Sequence, residues 1–190
     1  MEIEQKTKWK GKEWITVLAP AKFGEMQLSE IAATEPSAVV GRTVEVDGSE
    51  LTGSSAKAQF KLFFKIKSVQ DKIARTNFHS LYLSRDWLAY FVRKRTKKAE
   101  CIVDCKTKDG WLLHVKCIAV MAKIYTKIEK KVRAKVVEII KDTISKSTID
   151  EFLDSVLNGE IQKNIKKICS KIYPVKVAEI AKIEVLQIPK

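Results

Sequence analysis

The sequence predicts an α+β fold: strands lead, helices follow and one strand closes the chain. Three observations predict it. Apolar residues recur with a period of two in several segments before residue 122, and with helical spacing between residues 128 and 173. A last β-branched run then follows Pro174.

Each element has a local reason. Trp14–Leu18 reads as a first strand stopped by Ala19-Pro20, and Arg42–Asp47 as a second that ends at Asp47-Gly48. Gln59–Val69 alternates Phe60, Leu62, Phe64 and Ile66 with Lys61, Phe63, Lys65 and Lys67, a strand with one apolar and one largely basic face. Phe78–Leu83 returns as another strand. Ser84-Arg85-Asp86 then starts a helix, with Trp87, Leu88, Phe91 and Val92 at helical spacing. Ala99–Met121 is a hairpin folded about Lys108-Asp109-Gly110.

The helices come next. Ile128, Val132, Val136, Ile139, Ile140 and Ile144 form one stripe. Thr148 and Glu151 form a capping box, in which the hydroxyl takes an orphan amide and the carboxylate reaches back. The helix so opened buries Phe152, Leu153, Val156 and Leu157 and stops at Asn158-Gly159. Glu160–Tyr173 repeats the pattern with Ile161, Ile165, Ile168, Cys169 and Ile172, and Val175–Ile188 closes the chain. The expected division is a basic arm over residues 1–12, a β-rich RNA-binding part over 13–122 and an α/β part over 123–190.

Charge is the unusual property. Across 190 residues, 36 Lys and Arg face 23 Asp and Glu, a net +13. Such an excess repels itself in the compact state, and a polyanion relieves it. From Lys61 to Lys141 there are 21 basic and 7 acidic residues, whereas between Glu25 and Ser55 the only base, Arg42, meets Glu25, Glu30, Glu35, Glu45, Asp47 and Glu50. One face is thus directed at an anion and another at solvent or a basic protein.

The basic residues fall into groups. Lys6, Lys8, Lys10 and Lys12 interleave with Trp9 in the arm, suited to phosphates and a stacked base. Lys61, Lys65 and Lys67 share a strand face. Arg93, Lys94, Arg95, Lys97 and Lys98 form the densest run, part of which can serve a helix carboxyl end. Lys123, Lys127, Lys130, Lys131, Arg133 and Lys135 form the last group, and Lys141 also lies off the apolar stripe. Phosphate contacts by such groups give affinity and position with little base readout. A solvated face is the plain alternative for any one group, and no zinc finger, RNP motif or GXXG loop indicates how bases are read.

Other chemistry finds less support. Cys101, Cys105, His114 and Cys117 have the number but not the spacing of zinc ligands. The first two share a strand face, while His114 and Cys117 fall on opposite faces. Only two histidines exist, His79 and His114, and no nucleophile elbow, phosphate loop or metalloprotease motif is present. No cofactor is expected. No apolar run is long enough to span a bilayer, and the amino terminus does not read as a secretory signal, so a cytoplasmic protein with reduced thiols is expected.

Several segments occur in a familiar order: Trp14–Ala21 with Phe23, Gly41–Val46, Thr76-Asn77-Phe78-His79 followed by Arg85-Asp86, Val103–Gly110, and Ile172-Tyr173-Pro174. From about Trp9 to Pro189 the chain resembles the small-ribosomal-subunit protein family S-three-A-e, also known as e-S-one. The resemblance implies a β-barrel-like part followed by an α/β part. It also implies a monomer within the ribosome that binds small-subunit rRNA on the platform side, near the messenger exit and beside other platform proteins. A chain ending just after Pro189 resembles the archaeal form. The resemblance places Arg42 at an RNA or partner contact, with a salt bridge to Glu45 as the alternative. Asp47-Gly48-Ser49-Glu50-Leu51 departs from the family pattern, which leaves the geometry of that loop open.

The leading expectation is therefore a ribosomal component that acts by position. A non-ribosomal protein acting on transfer or messenger RNA is the second, and a metal- or thiol-dependent enzyme using the Cys/His hairpin the third.

Overall fold

The computed structural model describes residues 11–123 and 125–189. They divide into two units, one from residues 11–46 and Phe63–His79, the other from Asp47–Leu62 and Ser80 onwards.

The first unit is built on strands β1 (Glu13–Leu18), β2 (Gln27–Ala33) and β3 (Thr43–Asp47), with most of β4 (Phe60–Gln70) and β5 (Ile73–Leu83). β1 pairs antiparallel with β2 and parallel with β5 through Thr16↔Ile73 to Leu18↔Arg75. β4 pairs with β3 and β5. The alternation read in β4 is what the structure shows: Phe60, Leu62, Phe64 and Ile66 are buried, while Lys61, Lys65 and Lys67 are exposed. Phe64 meets Phe23 and Phe78 edge-to-face, with centroids 5.6 and 6.4 Å apart, the arrangement that ring quadrupoles favour.

Two strand readings need correction. β2 lies within the acidic segment, where its half-buried residues give only a weak period-two signal. β5 begins at Ile73, five residues before the expected start. Its entry is hidden because Asp71 and Lys72, with φ of 46° and 65°, make the tight turn after β4 without the glycine that normally marks one.

In the second unit the end of β5 pairs with β8 (Val175–Gln187), β8 with β7 (Leu112–Ala122) and β7 with β6 (Thr96–Lys106), all antiparallel. The predicted hairpin is in register from Thr96↔Ala122 to Lys106↔Leu112. Its turn is fixed by side chains. Thr107 Oγ1 accepts from the Trp111 amide, and Asp109 accepts from the Ile149 amide at the start of a helix.

Two short helices lie between strands and three longer ones follow β7, which keeps the α+β reading. They are α1 (Gly48–Thr52), α2 (Arg85–Phe91), α3 (Thr126–Lys146), α4 (Ile149–Leu157) and α5 (Glu160–Cys169). The capping box at α4 is present in both directions, with the Glu151 carboxylate on the Thr148 amide at 2.9 Å and the Thr148 hydroxyl accepting from the Glu151 amide. α3 packs on β6 and α5 on β8, over the sheet face that carries Cys101, Val103, Val115 and Cys117. On the opposite face Leu88 and Phe91 of α2 pack on Ile118, Val120 and Ala181. The change of period near residues 122 and 123 thus marks a change of secondary structure, not of unit, since the hairpin and α3 lie in the same one.

Two helical readings also change. α5 ends at Cys169, and the amides of Ile172 and Tyr173 turn back to the Cys169 carbonyl ahead of Pro174, leaving Ile172 exposed. This fits the restriction proline places on the residue before it. The expected end of β3 becomes the start of α1. There Gly48 lies so close to neighbouring backbone that a Cβ would stand 2.5 Å from the Lys57 carbonyl oxygen.

Candidate nucleic-acid interface

The densest basic run does not continue a helix. Arg93-Lys94-Arg95 forms the tight turn between α2 and β6, closed by the Thr96 amide on the Arg93 carbonyl at 3.0 Å. The Thr96 hydroxyl donates to the Arg93 carbonyl at 2.6 Å and accepts from the Arg93 amide at 3.0 Å. Arg95 takes a left-handed φ of 68°, a strained conformation for a side chain of its size. Arg93 caps α2, its Nε donating to the Tyr90 carbonyl at 3.0 Å, and its guanidinium lies over the Tyr90 ring at 4.9 Å. Among the described residues none of Arg93, Lys94 and Arg95 has a carboxylate partner.

Sequence spacing placed Trp87 and Val92 with the apolar positions of α2, but both are exposed, as is Tyr90 at 62%. Leu88 and Phe91 pack on Ile118, Val120 and Ala181 of the sheet, and Trp87 reaches it through a hydrogen bond to Glu179. Tyr90, in ring contact with Phe91 at 5.1 Å, is an exposed aromatic beside the basic run that periodicity did not single out. The signal for it was an aromatic within three residues of a basic run. Tyr125 repeats that pattern. It is 84% exposed between Lys123 and Lys127 and precedes α3.

The structure brings two of the basic groups together. Glu129 sits on the buried stripe of α3, 8% exposed, and pairs with Lys97 of β6 at 2.5 Å and with Arg133 at 3.1 Å. Lys97 and Arg133 thus have a carboxylate within the protein, and Lys135 has Glu138 at 2.8 Å. Lys123, Lys127, Lys130 and Lys131 are exposed and, among the described residues, without an ion pair.

The outer face of β6, β7 and β8 is different. Lys98 and Lys116 both reach Glu100, and hydrogen bonds from Lys116 and then Lys98 hold its carboxyl down at about 2. Lys182 pairs with Glu184 and lies over the Tyr82 ring, and His114 meets Asp104. Burial pushes the Glu179 carboxyl up, and a hydrogen bond from Trp87 opposes that shift.

The remaining predicted residues lie elsewhere. Lys61, Lys65 and Lys67 line the exposed face of β4, and Arg42 is exposed just before β3, its carbonyl accepting from the Ile66 amide. Lys12 is exposed, whereas Lys6, Lys8, Trp9 and Lys10 lie outside the described residues. The six carboxylates between Glu25 and Glu50 are all exposed.

The four cysteines are buried free thiols. Burial raises Cys101 to about 11 and pushes Cys117, Cys105 and Cys169 upwards, the opposite of what thiolate chemistry requires. Cys101 and Cys117 face each other across the hairpin, while His114 pairs with Asp104.

A family model described as the Ribosomal S3Ae family matches residues 2–189. The chain belongs to this family. Proteins named small ribosomal subunit protein eS1 are similar along nearly its whole length. The one from Archaeoglobus fulgidus is 38% identical over 97% of this chain and 89% of its own. That from Pyrobaculum neutrophilum is 37% identical over 98% and 85%, and that from Desulfurococcus amylolyticus 34% over 97% and 87%. Within this S3Ae chain, two segments that carried the sequence resemblance meet in the first unit: Leu18–Ala21 and Thr76-Asn77 line one depression, and the Thr76 hydroxyl donates to the Leu18 carbonyl at 2.8 Å.

Proposed function

We propose that this chain is a structural constituent of the small ribosomal subunit, acting on the cytoplasmic ribosome by binding rRNA rather than by catalysing a reaction. The observation that carries the RNA contact is the Arg93–Arg95 turn: three exposed cations beside an exposed aromatic ring, on a hydrogen-bonded turn between α2 and β6. Cations that neutralise phosphates release counterions, and aromatic faces stack on bases without requiring a particular sequence.

The exposed lysines at the start of α3, with Tyr125, extend this surface within the same unit. Lys97 and Arg133, held by Glu129, and Lys135, held by Glu138, add less free charge to it. Lys61, Lys65, Lys67 and Arg42 form a separate contact, and the arm lysines with Trp9 a third. The exposed carboxylates from Glu25 to Glu50 suit a basic neighbour among the platform proteins, with the chain present as one copy.

The test is binding of small-subunit rRNA across a salt series, with co-sedimentation on small subunits after a high-salt wash. The chain is expected in the washed particles, and replacing Arg93, Lys94 and Arg95 with Ala is expected to weaken rRNA binding without loss of fold. Absence from the particles, or unchanged affinity at moderate salt, overturns the reading.

A further inference from the structure

The basic turn is the end of a longer surface. α2 carries three rings in contact: Trp87 meets Phe91 edge-to-face at 5.3 Å, Phe91 meets Tyr90 at 5.1 Å, and the Arg93 guanidinium lies over Tyr90 at 4.9 Å. Phe91 packs on the sheet, whereas Trp87 and Tyr90 are 37% and 62% exposed. Residues three apart on a helix share a side, with Cβ atoms about 5–6 Å from each other. The Trp87 indole N–H donates to the half-buried Glu179 carboxylate. With Phe91 against it as well, this ring is placed before any ligand arrives.

Exposed rings of this kind suit either an apolar protein surface or unpaired bases. Charge decides between them. From Arg85 to Lys98 six basic residues meet one acid, Asp86. Lys97 and Lys98 have carboxylates of their own, Glu129 and Glu100, but among the described residues Arg93, Lys94 and Arg95 have none. An apolar protein surface would bury those three cations without counter-charge, at high cost. A ribose–phosphate strand supplies the counter-charge and offers flat bases to the rings. Duplex RNA supplies only the charge: its bases are stacked on one another, and its deep, narrow major groove does not admit side chains.

We propose that α2 and the turn after it form a single-strand platform for two successive unpaired nucleotides of RNA, one base on Tyr90 and its neighbour on Trp87, with their phosphates on Arg93–Arg95. Glu179 is a positioning residue for the indole. The inference rests on the rRNA-binding reading and narrows it: this surface takes a loop, bulge or strand end, not a paired helix.

The experiment uses the full chain labelled with ¹⁵N, titrated separately with decauridylate and with a blunt ten-base-pair RNA duplex. Decauridylate is expected to shift the Trp87 indole resonance, assigned by its loss in Trp87→Phe, while the duplex shifts only backbone amides of the turn. Trp87→Leu should weaken decauridylate about 5- to 100-fold, the range for one stacked base, and leave duplex affinity unchanged. Its slope of log K against log salt should match wild type, because stacking releases no counterions. A merely structural role for Trp87 would disturb the turn and move both. Glu179→Gln, which still accepts from the indole, should bind as wild type, whereas Glu179→Leu should lose about 3-fold for decauridylate alone. The wild-type titration needs no variant, so it tests the proposal even if Trp87→Leu fails to fold. An indole moved equally by the duplex, equal weakening of both RNAs, or an indole unmoved by decauridylate overturns the proposal, the last leaving a protein surface as the occupant. If the chain still co-sediments with small subunits in any of these cases, only the single-strand assignment falls; loss of co-sedimentation removes the function beneath it.

Discussion

Two surfaces of the second unit are rich in cations, yet their chemistry differs. On the outer face of β6, β7 and β8 the lysines face carboxylates: Lys98 and Lys116 on Glu100, Lys182 on Glu184. The pairing is needed because Lys116 and Lys182 sit directly opposite each other in the β7–β8 register, where like charges repel. At the turn from α2 to β6 the cations face outwards and one is stacked on Tyr90. Positive charge alone therefore does not mark an RNA contact; what matters is whether the fold has already neutralised it.

Breaking the comparison at the turn should give the largest effect. With Arg93, Lys94 and Arg95 all Ala, rRNA affinity should fall about 30-fold at moderate salt. The slope of log K against log salt should shrink by roughly 0.7 for each single-strand phosphate that the turn no longer neutralises. The same substitutions at Lys98 and Lys116 should change affinity less than about 3-fold, since exposed pairs contribute little beyond local stability. Filter binding across a salt series separates the two outcomes. Tyr90→Ala should cost about 1–3 kcal/mol of single-strand binding, with Tyr90→Phe near wild type, as stacking requires.

Glu129→Ala sharpens the comparison from inside. It leaves Lys97 and Arg133 without their shared carboxylate and should lower stability by about 1–3 kcal/mol, measured by urea unfolding. The smallest effect concerns pH. The Glu100 carboxyl is held at about 2, below its ordinary 4.5, so its contribution to stability is complete above about 4.5 and fades as pH falls through about 2. Acid unfolding of Glu100→Gln should diverge from wild type above that window and converge below it, by less than about 1 kcal/mol because the group is solvent-screened.

Legibility in the sequence followed physical cause. The faces of β4, the hairpin at Lys108–Gly110 and the capping box at Thr148 are set by neighbours in sequence, and each was readable. β2 is half-buried on an acidic segment, and the Asp71-Lys72 turn lacks glycine, so neither announced itself. The basic groups were visible as groups. Sorting their members was not, because the carboxylate that engages Lys97 comes from α3, 32 residues further along the chain. Tyr90 lies off the Trp87, Leu88, Phe91 and Val92 spacing, so periodicity alone gave it no role, and its exposure emerged only from the structure.

Gly48 shows how a missing side chain can place a contact far away in sequence. With no side chain, it lets the Ser54–Ala58 bend fold down close against the start of α1. Even alanine there must push that bend outwards, and Lys57 and its hold on Asn158 would move with it. A position that carries no charge and no side chain thus sets where a cation 101 residues from its partner comes to rest.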